Sequence, residues 1–205
     1  MLLLALAAAN LLFSPIRMPP VDQCASDRSF VAFRAELKRI VARRDSKALN
    51  PILADDVMAD FDSGRGRKEF ARIWKFDERK TSPIWPELEH VLGLGCSMAH
   101  GKPVIPYMAE GFPSEDDLFD KMVVVRLGAK LRDHPNEGAR VIANLNDHVL
   151  EVSEESQVTG WVKAKMADGR RGYVRRNQLR SPLDYRATFE KIGGAWRMTS
   201  FVAGD

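Results

Sequence analysis

The side chains best suited to chemistry in this chain are two cysteines, four histidines and a few closely spaced acids and bases. Cys24 and Cys96 form no CxxC pair, no zinc-type spacing and no haem-attachment pattern, so the sequence indicates no metal and no dithiol redox centre. His90, His100, His134 and His148 are scattered without the short repeats that metal ligands show. Ser63-Gly64-Arg65-Gly66-Arg67-Lys68 has the content of a phosphate cradle, although a solvated turn ahead of a helix explains the same residues. Asp60 or Asp62 could act as a general base, but no nucleophile or acid is spaced to partner either. No nucleophile elbow, HExxH, P-loop or dinucleotide fingerprint occurs. The expectation is a non-enzymatic protein with no cofactor and no metal.

Binding chemistry is better represented. Trp161 and Tyr173 are amphipathic rings set among Lys163, Lys165, Arg170, Arg171, Arg175 and Arg176. The rings either pack in a core or line a surface groove. The cations would attract acidic polymers or peptide carboxylates, an effect that salt weakens. The whole chain carries 31 basic and 28 acidic residues, a net charge of +3. That excess is too small for a dedicated nucleic-acid binder. Its 45% hydrophobic and 29% charged content is that of a globular protein.

Compartment follows from the first residues. Leu2 to Phe13 is apolar apart from Asn10, and Pro15, Pro19 and Pro20 follow. This is the length of a secretory h-region, so residues 1–20 are expected to be a signal peptide, without a basic n-region. The mature protein is then periplasmic or secreted, with no stable membrane span. In an exported chain a pair of cysteines favours a Cys24–Cys96 disulfide, the alternative being two separate buried thiols. Such a bridge would contribute on the order of 4 kcal/mol in the chain-entropy account.

The elements that must position these groups fall into an α+β layout. Phe30, Phe33, Leu37, Ile40 and Val41 recur at helical spacing, with Arg34, Lys38, Arg39 and Arg43 outward. A short second helix follows a cap at Asp45 or Ser46, then a strand over Val57 to Asp62. A third helix buries Phe70, Ile73 and Trp74, and a fourth starts at Ser82-Pro83 with Trp85, Leu88, Val91 and Leu92 inward. Residues 25–115 thus read as a helical α+β domain, and the proline-rich stretch from Gly101 to Asp120 as a connector. Beyond it come short strands over 122–126, 140–145, 148–152, 160–166 and 171–175, with a hairpin signal at Asp168-Gly169. Residues 183–205 alternate about Gly193-Gly194 as a final hairpin. Its apolar set is too large to stand alone, so it is expected to complete the N-terminal domain.

The segment 120–181 reads as a small five-stranded barrel, and about residues 122–181 resemble a bacterial SH3 domain. The resemblance is carried by Ala129-Lys130-Leu131-Arg132-Asp133-His134-Pro135 and Val141-Ile142-Ala143-Asn144-Leu145. Gly160-Trp161-Val162-Lys163-Ala164, Asp168-Gly169, Gly172-Tyr173-Val174 and Leu179 complete it. Asp147 departs from the pattern, standing where the family usually turns with glycine. Leu131, Val141, Leu145, Val149, Val162, Val174 and Leu179 would fill the barrel. The resemblance implies a cell-envelope binding or scaffolding role, with peptidoglycan, its stem peptides or an envelope protein as partner. Trp161, Tyr173, Arg132, Lys163 and Arg175 would be the ligand-binding residues. Cys96-Ser97 resembles the Cys-Ser core of envelope cysteine peptidases but lacks its preceding Asp and following Gly-Leu.

The flanking parts resemble the ketosteroid-isomerase-like, cone-shaped α+β superfamily. The matching stretches are Arg44 to Val57, Gly66-Arg67-Lys68-Glu69-Phe70 and Gly194 to Val202. That resemblance implies the alternative function, a small-molecule-binding or isomerase/cyclase-like protein using Asp60 or Asp62 as base.

Overall fold

The computed structural model describes residues 16–62, 64–112, 118–153 and 159–204. The described residues form two sheets with helices against the first.

Helix α1 (Arg28–Arg43) starts where Asp27 accepts hydrogen bonds from the backbone amides of Ser29 at 2.8 Å and Phe30 at 3.0 Å. It buries Phe30, Leu37, Ile40 and Val41, and ends with Arg44 in the left-handed region at φ 53°. Asp45 caps α2 (Ser46–Leu49) through the Ala48 amide at 3.0 Å. Helix α3 is Arg67–Ile73, and α4 is Ile84–Leu92, which buries Ile84, Trp85, Leu88, Val91 and Leu92.

The first sheet draws on both ends of the chain. Strand β1 (Leu53–Met58) and the hairpin of β2 (Ser97–Ala99) and β3 (Lys102–Ile105) come from the first half. Strands β11 (Arg186–Ile192) and β12 (Ala195–Val202) come from the C-terminus. The strand order is β1-β12-β11-β3-β2, so the C-terminal hairpin is central. β12 runs parallel to β1, and β11 pairs antiparallel with β3 at Val104 and Ile105. Phe189, Met198 and Phe201 are fully buried here, with Phe30 and Phe189 meeting edge to face at 5.4 Å.

Two local expectations are corrected by these strands. The strand expected over Val57 to Asp62 lies earlier, at Leu53–Met58. Asp60 turns the chain instead, accepting from the amides of Asp62 at 3.1 Å and Gly64 at 2.7 Å. The stretch expected as a connector contains β3, reached by a two-residue turn at His100 and Gly101 with φ 48° and 80°. Both central residues in the left-handed region make this a twist-matched hairpin turn. Pro103 is tolerated because β3 bonds to β11 only through the two residues after it.

The second sheet curls into the barrel, in the order β10-β4-β7-β8-β9-β5-β6. Its strands are β4 (Lys121–Val124), β5 (Ala129–Arg132), β6 (Val141–Leu145) and β7 (Val149–Val152). They are joined by β8 (Trp161–Lys165), β9 (Arg171–Arg175) and β10 (Leu179–Arg180). Leu131, Leu145, Val162, Val174 and Leu179 fill it as expected, but Val141 and Val149 do not. A register shift between Leu131 and Arg132 turns Val141 outward, to 40% exposure, and Ile142 packs on the core instead. Leu150 takes the place expected for Val149. Asp147 makes the corner at φ 54°, a conformation that Asp tolerates without glycine.

Val149 belongs to a third apolar layer, with Met18, Tyr107, Met108 and Val123, beside the barrel. The leader expected over 1–20 lies largely outside the described residues, but its last five residues are described. The Val149 amide donates to the Ile16 carbonyl at 2.9 Å and the Met18 amide to Asp147 at 2.7 Å. The Tyr107 hydroxyl donates to the Met18 carbonyl at 2.7 Å, and burial pushes that phenol up to about 12. Residues 16–20 are therefore part of the folded body. Cys24 and Cys96 are bonded, with Cα atoms 5.8 Å apart, and tie the turn before α1 to β2. Among the described residues no helix is long and apolar enough to cross a membrane.

Candidate binding face

Strand period decides what the barrel shows to its surroundings. On β8 and β9, Val162, Ala164, Gly172 and Val174 point inward. Trp161, Lys163 and Lys165 alternate with them on β8, as do Arg171, Tyr173 and Arg175 on β9. Antiparallel register sets these outer residues opposite one another as Trp161 and Arg175, Lys163 and Tyr173, Lys165 and Arg171. Arg132 of β5 stands opposite Tyr173. The close packing of β5 on β9 needs Gly172, where a Cβ would sit 2.4 Å from the Arg132 carbonyl oxygen. All five expected ligand residues thus share one outer face.

They are not equally available. Trp161 is 4% exposed because the Arg175 guanidinium lies 4.4 Å from its ring centre. The Arg175 Nε donates to Glu137 Oε1 at 2.7 Å, and Arg132 approaches the other carboxylate oxygen at 3.5 Å. Arg132 also donates to the Ala139 carbonyl at 2.7 Å. The hydrogen bond from Arg175 holds the Glu137 carboxyl below its ordinary value. Arg132, Trp161 and Arg175 therefore form a closed ion-pair cluster lining a hollow of about 180 Å³. Lys163 and Arg171 are exposed and make no ion pair among the described residues. They border a shallower hollow of about 350 Å³, where Glu151 is neutralised by Lys165 at 2.9 Å. Tyr173, of intermediate exposure, stands opposite Lys163 on one side and Arg132 on the other.

A cleft of about 970 Å³ lies where the barrel meets α4. Its floor holds Arg180, only 3% exposed, which donates to Glu87 at 2.9 Å and to the Tyr185 carbonyl at 2.8 Å. Arg180 Nη1 also lies 3.2 Å from His90 Nδ1. Burial, and then the Arg180 charge, push the His90 imidazole below its ordinary value. Sequence reasoning missed Glu137, Glu87 and Arg180, and read His90 only as one of four scattered histidines. The charge of Glu137 sits in an irregular loop without a pattern, and Glu87 and Arg180 are 93 residues apart.

The remaining candidates are engaged elsewhere. Asp60 is used by its own turn, and Asp62 is exposed. Of the proposed phosphate cradle, Ser63 lies outside the described residues. Arg67 donates to the Leu53 carbonyl at 2.9 Å and pairs with Asp55 at 3.1 Å. Among the described residues one metal-type cluster occurs, of Asp22, Cys24 and Cys96, but its sulfurs are consumed in the disulfide. His100 sits in the exposed β2–β3 turn, and His134 lies 3.2 Å from Asp133.

Residues 126–181 match the family model of the bacterial SH3 domain, so the resemblance read from the sequence holds for that segment. No curated protein and no solved structure matches the chain.

Proposed function

We propose that this protein is a non-enzymatic binding module of the cell envelope, and that the outer face of β5, β9 and β8 captures peptidoglycan through its stem peptides. Bacterial SH3 domains are commonly binding modules for peptidoglycan or proteins, which supports the binding reading. The observation that carries the choice is the pair of exposed cations Lys163 and Arg171 beside Tyr173, which make no ion pair among the described residues. An aromatic surface beside fixed positive charge suits short peptides bearing carboxylates. The closed cluster of Arg132, Trp161, Arg175 and Glu137 serves as a rigid wall for that face. The Cys24–Cys96 disulfide is compatible with an oxidising compartment, which supports placement outside the cytoplasm.

Amide-shift mapping of the isotopically labelled protein with soluble peptidoglycan fragments tests this reading. Shifts centred on Lys163, Arg171 and Tyr173 are expected. Shifts confined to the helical part, or none, would remove the barrel face from consideration.

A further inference from the structure

We propose that the cleft between the barrel and α4 is a second binding site, one that takes the carboxylate end of a peptide. It is built jointly by the two parts of the fold, and its key residues lie apart from Lys163 and Tyr173.

Charge within the cleft is unevenly settled. Glu87 is neutralised by Arg180 and Glu137 by Arg175, at 2.9 and 2.7 Å. Asp184 accepts from the Ser181 amide at 3.0 Å and keeps its negative charge, which offsets one cation of the cleft. Two guanidinium groups remain. Among the described residues neither Arg126 nor Arg176 makes an ion pair, and the Arg176 guanidinium donates to the Leu179 carbonyl at 3.1 Å. Guanidinium forks match carboxylates, and a concave wall excludes part of the competing water.

Peptide recognition needs more than charge, and the cleft supplies it. Asn177 and Gln178 line the same cleft, with no side-chain partner among the described residues. Each carboxamide offers both donors and acceptors, the combination that a peptide group requires. Tyr185 adds a ring held against Trp74 and Phe201 at 4.9 and 5.1 Å. The volume of about 970 Å³ falls in the range of ligand clefts and sits at a junction between packed units, where such sites concentrate. The part-buried Arg180–Glu87 contact fixes the floor, so little ordering is needed on binding.

The site extends the binding reading of the barrel without resting on wall recognition. Its test uses the full chain, labelled for arginine Nε–Hε and for side-chain carboxamide signals. The probes are N-acetyl-trialanine, its C-terminal amide and inorganic phosphate. N-acetyl-trialanine should shift Arg126, Arg176, Asn177 and Gln178 in a saturable way, and the amide should bind at least tenfold more weakly. Arg126→Gln with Arg176→Gln should cost at least tenfold in affinity, while Lys47→Gln on α2 leaves it unchanged. Absence of these shifts, equal shifts with the amide, or phosphate binding as tightly as the peptide would overturn the proposal. Failure of the barrel face shows instead as loss of wall binding with these signals intact.

Discussion

Arg180, the last residue of the barrel's final strand, donates to Glu87 on α4 at 2.9 Å, with its side chain only 3% exposed. Among the described residues its Nε and the Nε2 of His90 are buried with no hydrogen-bond partner. The contact between the barrel and the helical part is therefore polar and incompletely satisfied at its centre, where an apolar contact would need no such matching.

Truncating Arg180 leaves Glu87 and His90 beside a void. Because Glu87 keeps 31% exposure, the full penalty of an orphaned buried charge does not apply. Arg180→Ala should destabilise the protein by about 2 kcal/mol, as expected for a lost charged hydrogen bond. Urea denaturation measures it, and a cost below about 0.5 kcal/mol, the scale of an ordinary surface change, would show that the pair contributes nothing.

Acid should weaken the same region. His90 and His148 both have folded-state values below 6.5, caused first by burial. Arg180 and Arg126 deepen the His90 shift, while Glu87 and Asp184 oppose it. Above 6.5 both imidazoles are neutral in folded and unfolded chains, and no difference arises. Below it the unfolded chain takes up protons first, so stability falls as pH drops toward the folded-state values. The depressed carboxyls of Asp22 and Glu151 add to the loss only at lower pH, below their ordinary values of 3.8 and 4.5. Urea midpoints between pH 7.5 and 5.5 should decline, and His90→Gln should flatten part of that decline. A midpoint constant across this window would contradict the assignment.

Ending the chain at Arg180 removes β11 and β12, leaving β1 without β12 and β3 without β11. It also deletes Phe189, Met198 and Phe201 from the core around Phe30 and Trp85. Each large buried side chain is worth about 1.5–3 kcal/mol, so the helical part should unfold while the barrel strands persist. Far-ultraviolet circular dichroism reads this directly. A truncated chain with its helical signal and melting intact would mean that the hairpin only decorates the surface.

Periodicity made the helices legible, because Phe30 to Val41 and Trp85 to Leu92 state their buried faces outright. The barrel was legible through the order of its short motifs, which local alternation and turn residues carry. What stayed hidden depends on long-range register. The shift at Arg132 that exposes Val141 and the bonding of β3 only beyond Pro103 leave no mark in neighbouring residues. The candidate face followed the same division. Trp161, Lys163, Tyr173 and Arg175 announce themselves by alternation, whereas the covering of Trp161 by Arg175 and Glu137 needed a loop geometry that sequence does not state.

Co-sedimentation of the protein with purified peptidoglycan tests the central claim most directly. The intact protein should pellet with the polymer, less so as salt is raised, since exposed charges are screened. Combining Lys163→Glu, Arg171→Glu and Tyr173→Ala, all on the outer face, should reduce the pelleted fraction at least tenfold while the barrel stays folded. Intact protein that remains in the supernatant, or a triple variant that pellets equally, would contradict the account.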